Sequence, residues 1–358
     1  MATAPADNFT PPRPFVEGPS AWTGAEMRKT DAWIYRLSDA QIAELEAAMR
    51  ATQAKGLDIA AIGRDQFPLP TLGSELLKIE DEIVNGRGFV LIRGIPVERY
   101  SVAEAATIYY GLGSWLGNAR SQNAKGHVLG HVRDLGLSAE KDPNVRIYQT
   151  TERQTYHTDS CDIVGLLCLK TAKSGGFSSI VSSMTIYNVM AAKRPDLAAR
   201  LMQPFATDRR GEVPAGKKPY FEIPVFNDYA GNLSVIYARR YIDSAQRFPD
   251  ARRLTAEDVE ALDYFDSLAN DSELRLDMEF KPGDMQFLHN HTLLHDRTAY
   301  VDWDEPEKKR HLLRLWLAAP NGRELPPVYA ERYGTVTIGD RGGIICDETR
   351  LHAPLDPV

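Results

Sequence analysis

Apolar residues keep helical spacing through the first third of the chain; beyond about residue 118 they gather into short runs broken by turn-forming residues. Ser38-Asp39-Ala40-Gln41 has the spacing of a capping box, and Ile42, Leu45 and Met49 then fall on one face, so a helix starts there. A second helix is expected over 74–85. Gly88-Phe-Val-Leu-Ile-Arg-Gly94, bounded by glycines and stopped by Pro96, has the pattern of a buried strand. Ser101-x-x-Glu104 opens another helix, expected to run to about Leu116. The later runs, Val145–Tyr148, Ile163–Leu169, Ile180–Ser183, Val235–Ala238, Asp277–Phe280, Asp284–Leu288 and Leu312–Leu317, have strand composition. Helices should interrupt them near 186–200 and at 255–270, the latter capped by Thr255-x-x-Asp258. Many short strands with few helices point to a sandwich or barrel, not to alternating βαβ units. With no repeat, low-complexity tract or linker in view, we expect an irregular arm over residues 1–20 and one domain over 21–358. The fold class is α+β, mainly β, with a helical N-terminal layer on a β core.

Composition narrows the function classes. The chain has 358 residues, 43% of them hydrophobic and 25% charged, inside the range of ordinary globular domains. Forty-nine acidic against 42 basic residues leave a net charge of −7, which argues against a nucleic-acid partner. Three cysteines cannot build a disulfide framework, so a reducing, cytoplasmic setting is expected. The N-terminal residues lack the basic and apolar regions of a signal peptide, and no run reaches eighteen apolar residues, so no membrane partner is expected. A small-molecule substrate fits this profile, and a homo-oligomer is compatible with it.

The chemistry lies in the spacing of the eight histidines. His157-Thr158-Asp159 sets an imidazole and a carboxylate two residues apart, and on a strand such residues share a face. Far downstream, Gly283-Asp284 leads through His289 and His291 to His295. Two histidines and one carboxylate on one side of a metal, with the remaining positions open, suit non-haem Fe(II) and oxygen chemistry. An isolated His-x-Asp is common by chance, and a lone downstream histidine is usually structural. A third element changes the balance. Arg310-His-Leu-Leu-Arg314-Leu-Trp316 alternates as a strand does, with Arg310, Leu312, Arg314 and Trp316 on one face. Two arginines on a face of an apolar strand are costly unless they meet anions, and a guanidinium fork takes a carboxylate bidentately. An internal salt bridge would satisfy them equally well.

His157-x-Asp159, Gly175-Gly-Phe-Ser178, Gly283-Asp284…His295 and Arg310-x-x-x-Arg314, in this order, resemble the TauD/TfdA family of Fe(II)/2-oxoglutarate-dependent dioxygenases, which includes the clavaminate-synthase-like enzymes. The strand at 88–94 is similar to that family's first core strand, so the resemblance covers roughly 80–320. It implies a double-stranded β-helix (jelly-roll) core and Fe(II) held by His157, Asp159 and His295. It implies 2-oxoglutarate as cosubstrate, with its distal carboxylate on Arg310 helped by Ser178, and O2 as oxidant. Arg314 would face an anionic substrate, and the outcome would be hydroxylation with release of succinate and CO2. The carboxylate of Asp159 favours oxygenation over halogenation, because halogenating relatives carry a small residue there.

The chain departs from the pattern in two places. Phe177 stands where the family is often acidic, and the stretch 296–309 before Arg310 is long. Three histidines crowd the distal motif: His291 and His295 also have the i, i+4 spacing of a zinc pair on a helix, although a helix is not favoured there, and His289 reads as structural. Two rival functions remain, a non-catalytic cupin-like binding protein and a zinc hydrolase using His289, His291 and His295. Tyr156, Cys161 and Cys168 read as packing residues. Ser121-Gln-Asn123, His127, His131, Arg209-Arg-Gly-Glu212 and Tyr237-Ala-Arg-Arg240 are open between pocket-lining and structural roles.

Overall fold

The computed structural model describes residues 12–137 and 145–357, so residues 1–11 of the expected arm lie outside the described part. Residues 13–16 are irregular and tied down: the backbone N–H groups of Arg13 and Val16 donate to Tyr187 Oη and Asn188 Oδ1.

The capping signals mark real helices. Asp39–Ala54, Val102–Gly113 and Ala256–Ala269 all start from reciprocal boxes, Ser38 with Gln41, Ser101 with Glu104 and Thr255 with Asp258. The helix expected at 74–85 spans Leu72–Val84. The one expected over 186–200 is two, Ser183–Lys193 and Pro195–Arg200. Pro195 cannot donate to the preceding turn and forces Arg194 out of helical geometry, to φ −143° and ψ 65°.

The strands form two principal sheets. We label them in chain order β1 (Ile34–Arg36), β2 (Phe89–Arg93), β3 (Asn118–Ala119), β4 (Gly130–Val132), β5 (Gln154–His157), β6 (Ile163–Lys170), β7 (Ser178–Ser182), β8 (Arg275–Met278), β9 (Met285–His289), β10 (Leu293–Arg297) and β11 (His311–Ala318). The larger sheet runs β1-β2-β9-β6-β11-β3, with β4 also on β11; the smaller runs β8-β7-β10-β5. β10 is a strand the sequence pattern did not announce. The strand expected at Val145–Tyr148 is instead a single 3-10 turn at Ile147–Gln149, and Val235–Ala238 contributes only the end of a hairpin strand, Asn232–Val235.

Alternation along the strands separates three cores. Leu313, Leu315 and Leu317 of β11 point with Ile92 and Phe287 towards Leu45, Leu76 and Leu112 of the N-terminal helices. Leu312 and Trp316, on the other face of β11, join Leu91, Val164, Ile180 and Leu293 between the sheets. Val181 and Leu294 of the smaller sheet face outward, onto the helices at 183–193 and 256–269. The strand pattern read in β11 is therefore real: one face packs on helices, and the other carries Arg310 and Arg314 to the inter-sheet space.

Candidate active site

The smaller sheet sets His157 opposite His295, because these two residues pair in register where β5 meets β10. Their rings stand 4.1 Å apart. Asp159 completes the group: ligand-type atoms of His157, Asp159 and His295 all lie within 4.8 Å of one another. Asp159 does not share the strand, contrary to the expectation from i, i+2 spacing, since β5 ends at His157. Its position comes from elsewhere. Its N–H donates to Asn290 Oδ1 at 2.8 Å, and its Oδ2 accepts from Trp316 Nε1 of β11 at 2.8 Å. The carboxylate thus bridges the two sheets.

The electrostatics suit a cation. Asp159 Oδ1 is 3.7 Å from His157 Nε2 and its Oδ2 is 3.8 Å from His295 Nε2. Thr155 O accepts from His157 Nδ1 at 2.9 Å, which fixes the tautomer with its lone pair on Nε2, towards the carboxylate. Burial pushes the His295 imidazole down to about 3, so it stays neutral and keeps its lone pair. Burial would raise the Asp159 carboxyl, but the Arg314 guanidinium and the Trp316 N–H oppose it, and the group stays below its ordinary value. Two imidazoles and one carboxylate fit Fe(II).

The other distal histidines point elsewhere. His291 Nε2 bonds Asp162 Oδ1 at 2.7 Å, and that carboxylate also receives Arg341 Nε at 2.8 Å. His289 Nδ1 lies 3.1 Å from Thr292 Oγ1. Neither belongs to the cluster, so the structure gives no zinc triad at 289, 291 and 295.

Two cavities meet at the cluster. The inner one, about 430 Å³, lies between the sheets and is lined by Ser178, Leu166, Phe280, Arg297, Arg310 and Arg314. Arg310 is buried, donates to Gly176 O at 3.4 Å and leaves Nη1 without a partner. Arg297, which sequence reasoning missed, gives Nη2 to Glu152 O and leaves Nε and Nη1 unpartnered. Its signal was present, two residues after His295 on the same strand face. Tyr300 Oη is orphaned nearby, under both guanidiniums. Two buried cations without a carboxylate are expensive unless an anion meets them. Ser178 Oγ donates to Gln286 Oε1 at 3.2 Å and faces the same space. The Gly-Gly pair has a mechanical reason: Gly176 sits at φ +71°, and a Cβ there would stand 2.9 Å from Arg310 Nε.

Arg314 borders both cavities. Its Nε donates to Gln122 Oε1 at 2.7 Å, Gln122 Nε2 returns a bond to Arg314 O, and Nη1 is 3.7 Å from Asp159 Oδ2. Gln122 therefore positions the site, whereas His131 bonds His311 at 2.8 Å and His127 packs edge-on to His352. Arg209 is buried on the carbonyls of Lys218 and Glu331, and Arg240 lies 3.5 Å from Glu152 on the rim of the outer cavity. Tyr156, Cys161 and Cys168 are buried packing residues.

Residues 51–316 match the family described as "Taurine catabolism dioxygenase TauD, TfdA family". The chain belongs to the TauD/TfdA family. It is 33% identical over 314 residues to FR-33289 synthase of Streptomyces rubellomurinus, covering 87% of this chain and 92% of that protein. It is 32% identical over 304 residues to a taurine hydroxylase-like protein of Stachybotrys chartarum, covering 82% and 77%. Among solved structures it is similar to an asparagine oxygenase complexed with Fe(II), hydroxyasparagine and succinate (TM-score 0.63, 14% identity, 80% and 93% covered). It is also similar to the non-heme iron oxygenase OrfP with Fe and alpha-ketoglutaric acid (TM-score 0.58, 12% identity, 79% and 93% covered). As a TauD/TfdA member the protein is an Fe(II)/2-oxoglutarate-dependent dioxygenase, with Fe(II), 2-oxoglutarate and O2 as its metal, cosubstrate and oxidant. Among the described residues, no helix is long and apolar enough to cross a membrane.

Proposed function

We propose that this dioxygenase hydroxylates a small, anionic organic substrate, converting 2-oxoglutarate to succinate and CO2. The observation that carries this reading is the meeting of two cavities at His157, Asp159 and His295, one lined by the unpaired, buried Arg297 and Arg310 and the other by a further set of arginines. His157, Asp159 and His295 would hold the metal, Arg310 and Ser178 the distal carboxylate of 2-oxoglutarate, and Arg314 would face the substrate. When bound, Fe(II) supplies the O2 activation that couples cosubstrate decarboxylation to insertion of oxygen into a C–H bond. The protein's own part is positional. Trp316 and Asn290 fix Asp159, and the Thr155 carbonyl fixes the His157 tautomer. Arg310 and Arg297 neutralise the cosubstrate in a space walled by Leu166 and Phe280, which exclude water.

In fold terms, we read the two facing sheets as a double-stranded β-helix, with the N-terminal helices as a covering layer and one domain over 21–358. The three free thiols suit a reducing, cytoplasmic setting. The relatives frame the substrate search: hydroxy-asparagine and hydroxy-arginine lie in solved neighbours, and uridine-5'-phosphate is named for two partial relatives. A panel of small carboxylates, sulfonates, phosphates and phosphonates, read by succinate formation and O2 uptake, tests the function. No Fe(II)-dependent succinate release, with or without any of these substrates, overturns it and favours a non-catalytic binding role.

A further inference from the structure

The outer cavity, about 850 Å³, opens beside Asp159 and is lined by five arginines: Arg146, Arg239, Arg240, Arg314 and Arg332. Four have company. Arg146 pairs with Glu212 and Tyr241, Arg239 with Asp243, Asp263 and Asp266, Arg240 with Glu152, and Arg314 with Gln122 and Asp159. Arg332 differs. It lies beyond the stretch that matches the family, on the short helix Ala330–Tyr333, whose Tyr333 and preceding Tyr329 are anchored in a cluster with Phe221 and Leu325. From there its Nε donates to Ser160 Oγ at 2.7 Å, next to Asp159, and its guanidinium stands 5.5 Å over the Phe221 ring. It is 9% exposed, and among the described residues no carboxylate oxygen lies within 4 Å of it. Burial, with Arg146 and Arg209 nearby, brings its pKa down to about 10, so it is still charged at neutral pH. A buried charge without a counter-ion is retained at a cost to the fold unless a ligand pairs with it.

We propose that Arg332 is the docking point for an oxyanionic group (carboxylate, sulfonate or phosphonate) of the primary substrate, placing the rest of that molecule along the cavity towards His157 and Asp159. This rests on the oxygenase reading above and assigns the substrate's charge to a residue outside the family core. Arg314, already held by Gln122, would then face the body of the substrate near the metal.

The test titrates methylphosphonate, methanesulfonate and acetate separately into the full-length enzyme loaded anaerobically with Fe(II) and 2-oxoglutarate, read by calorimetry. At least one anion should bind the wild type, and which one identifies the group. Arg332→Met should weaken that binding at least about tenfold, the ratio one charge-assisted contact supports, and Arg332→Lys should keep an intermediate affinity. Without anion, Arg332→Met should melt at or above the wild-type temperature, because an uncompensated buried charge has gone. The proposal is overturned by unchanged binding in Arg332→Met, by a wild type that binds none of the three, or by an Arg332→Met protein that loses stability along with the anion. A wild type that takes up neither iron nor 2-oxoglutarate refutes the oxygenase reading itself; one that takes up both and ignores the anions refutes only the role of Arg332.

Discussion

At the scale of single residues, two histidines four positions apart have opposite fates. His295 turns its Nε2 to Asp159, while His291 is locked to Asp162 beside Arg341. His157→Ala, Asp159→Ala and His295→Ala should therefore each abolish Fe(II) retention, measured by metal analysis after anaerobic loading, with the metal-free protein still folded. His291→Ala should keep the iron and lose stability, on the order of 3 kcal/mol, because it breaks a fully buried pair. Iron loss in His291→Ala with iron kept in His295→Ala would exchange their roles. The spacing in the sequence offered both histidines. The deciding partner of His291, Asp162, lies 129 residues away and could not be read from local pattern. Arg310 carries the second test at this scale. Removing its fork strips a charge-assisted contact worth roughly 2–5 kcal/mol, so Arg310→Ala should raise the KM for 2-oxoglutarate some tens- to thousands-fold. Arg310→Lys should rescue only part of this, since lysine lacks the fork. Succinate formation titrated in 2-oxoglutarate reads it, and an unchanged KM removes Arg310 from the cosubstrate site.

At the scale of elements, legibility depends on how local the determining interaction is. The three capping boxes involve side chains three residues apart, so Ser38, Ser101 and Thr255 marked their helices directly. β11 was legible because its period-2 alternation separates two different cores. β10 was not: Leu293-Leu-His-Asp-Arg297 is fully buried on both faces and has no polar alternation to show. The Val145–Tyr148 run failed for the converse reason, since Val and Tyr favour strands but no partner strand among the described residues reaches them here. The Gly-Gly turn before β7 is the element most directly coupled to chemistry. Gly176→Ala should strain a positive-φ position and press on Arg310 Nε, raising the KM for 2-oxoglutarate about fivefold, equivalent to ~1 kcal/mol, while iron binding is unchanged. An unaltered KM would show that the turn yields without moving the arginine.

At the scale of the whole molecule, the buried histidines set the response to acid. His127, His131, His289, His291, His295 and His311, six of the eight, are held below the ordinary imidazole pKa, each first of all by burial, and His295 and His311 are pushed down to about 3. In the folded chain these rings stay neutral where the unfolded chain would protonate them. As pH falls below about 6.5 the unfolded state binds protons that the native state refuses, so stability drops with pH. Each such histidine contributes up to ~1.4 kcal/mol per pH unit until its folded pKa is reached. The depressed carboxyls of Asp162 and Asp258 act in a separate, lower window, because their contribution is lost only below the ordinary carboxylate pKa. Unfolding by urea, measured on metal-free protein from pH 7.5 to 5, should therefore show a flat upper region and then a loss of several kcal/mol per pH unit beginning near 6.5. His311→Gln, which removes one such ring from the His131 pair, should make that slope shallower by about one proton. A stability that stays level from pH 7.5 to 5.5 would mean that these rings take up protons without unfolding the chain, and burial would not be what holds them neutral.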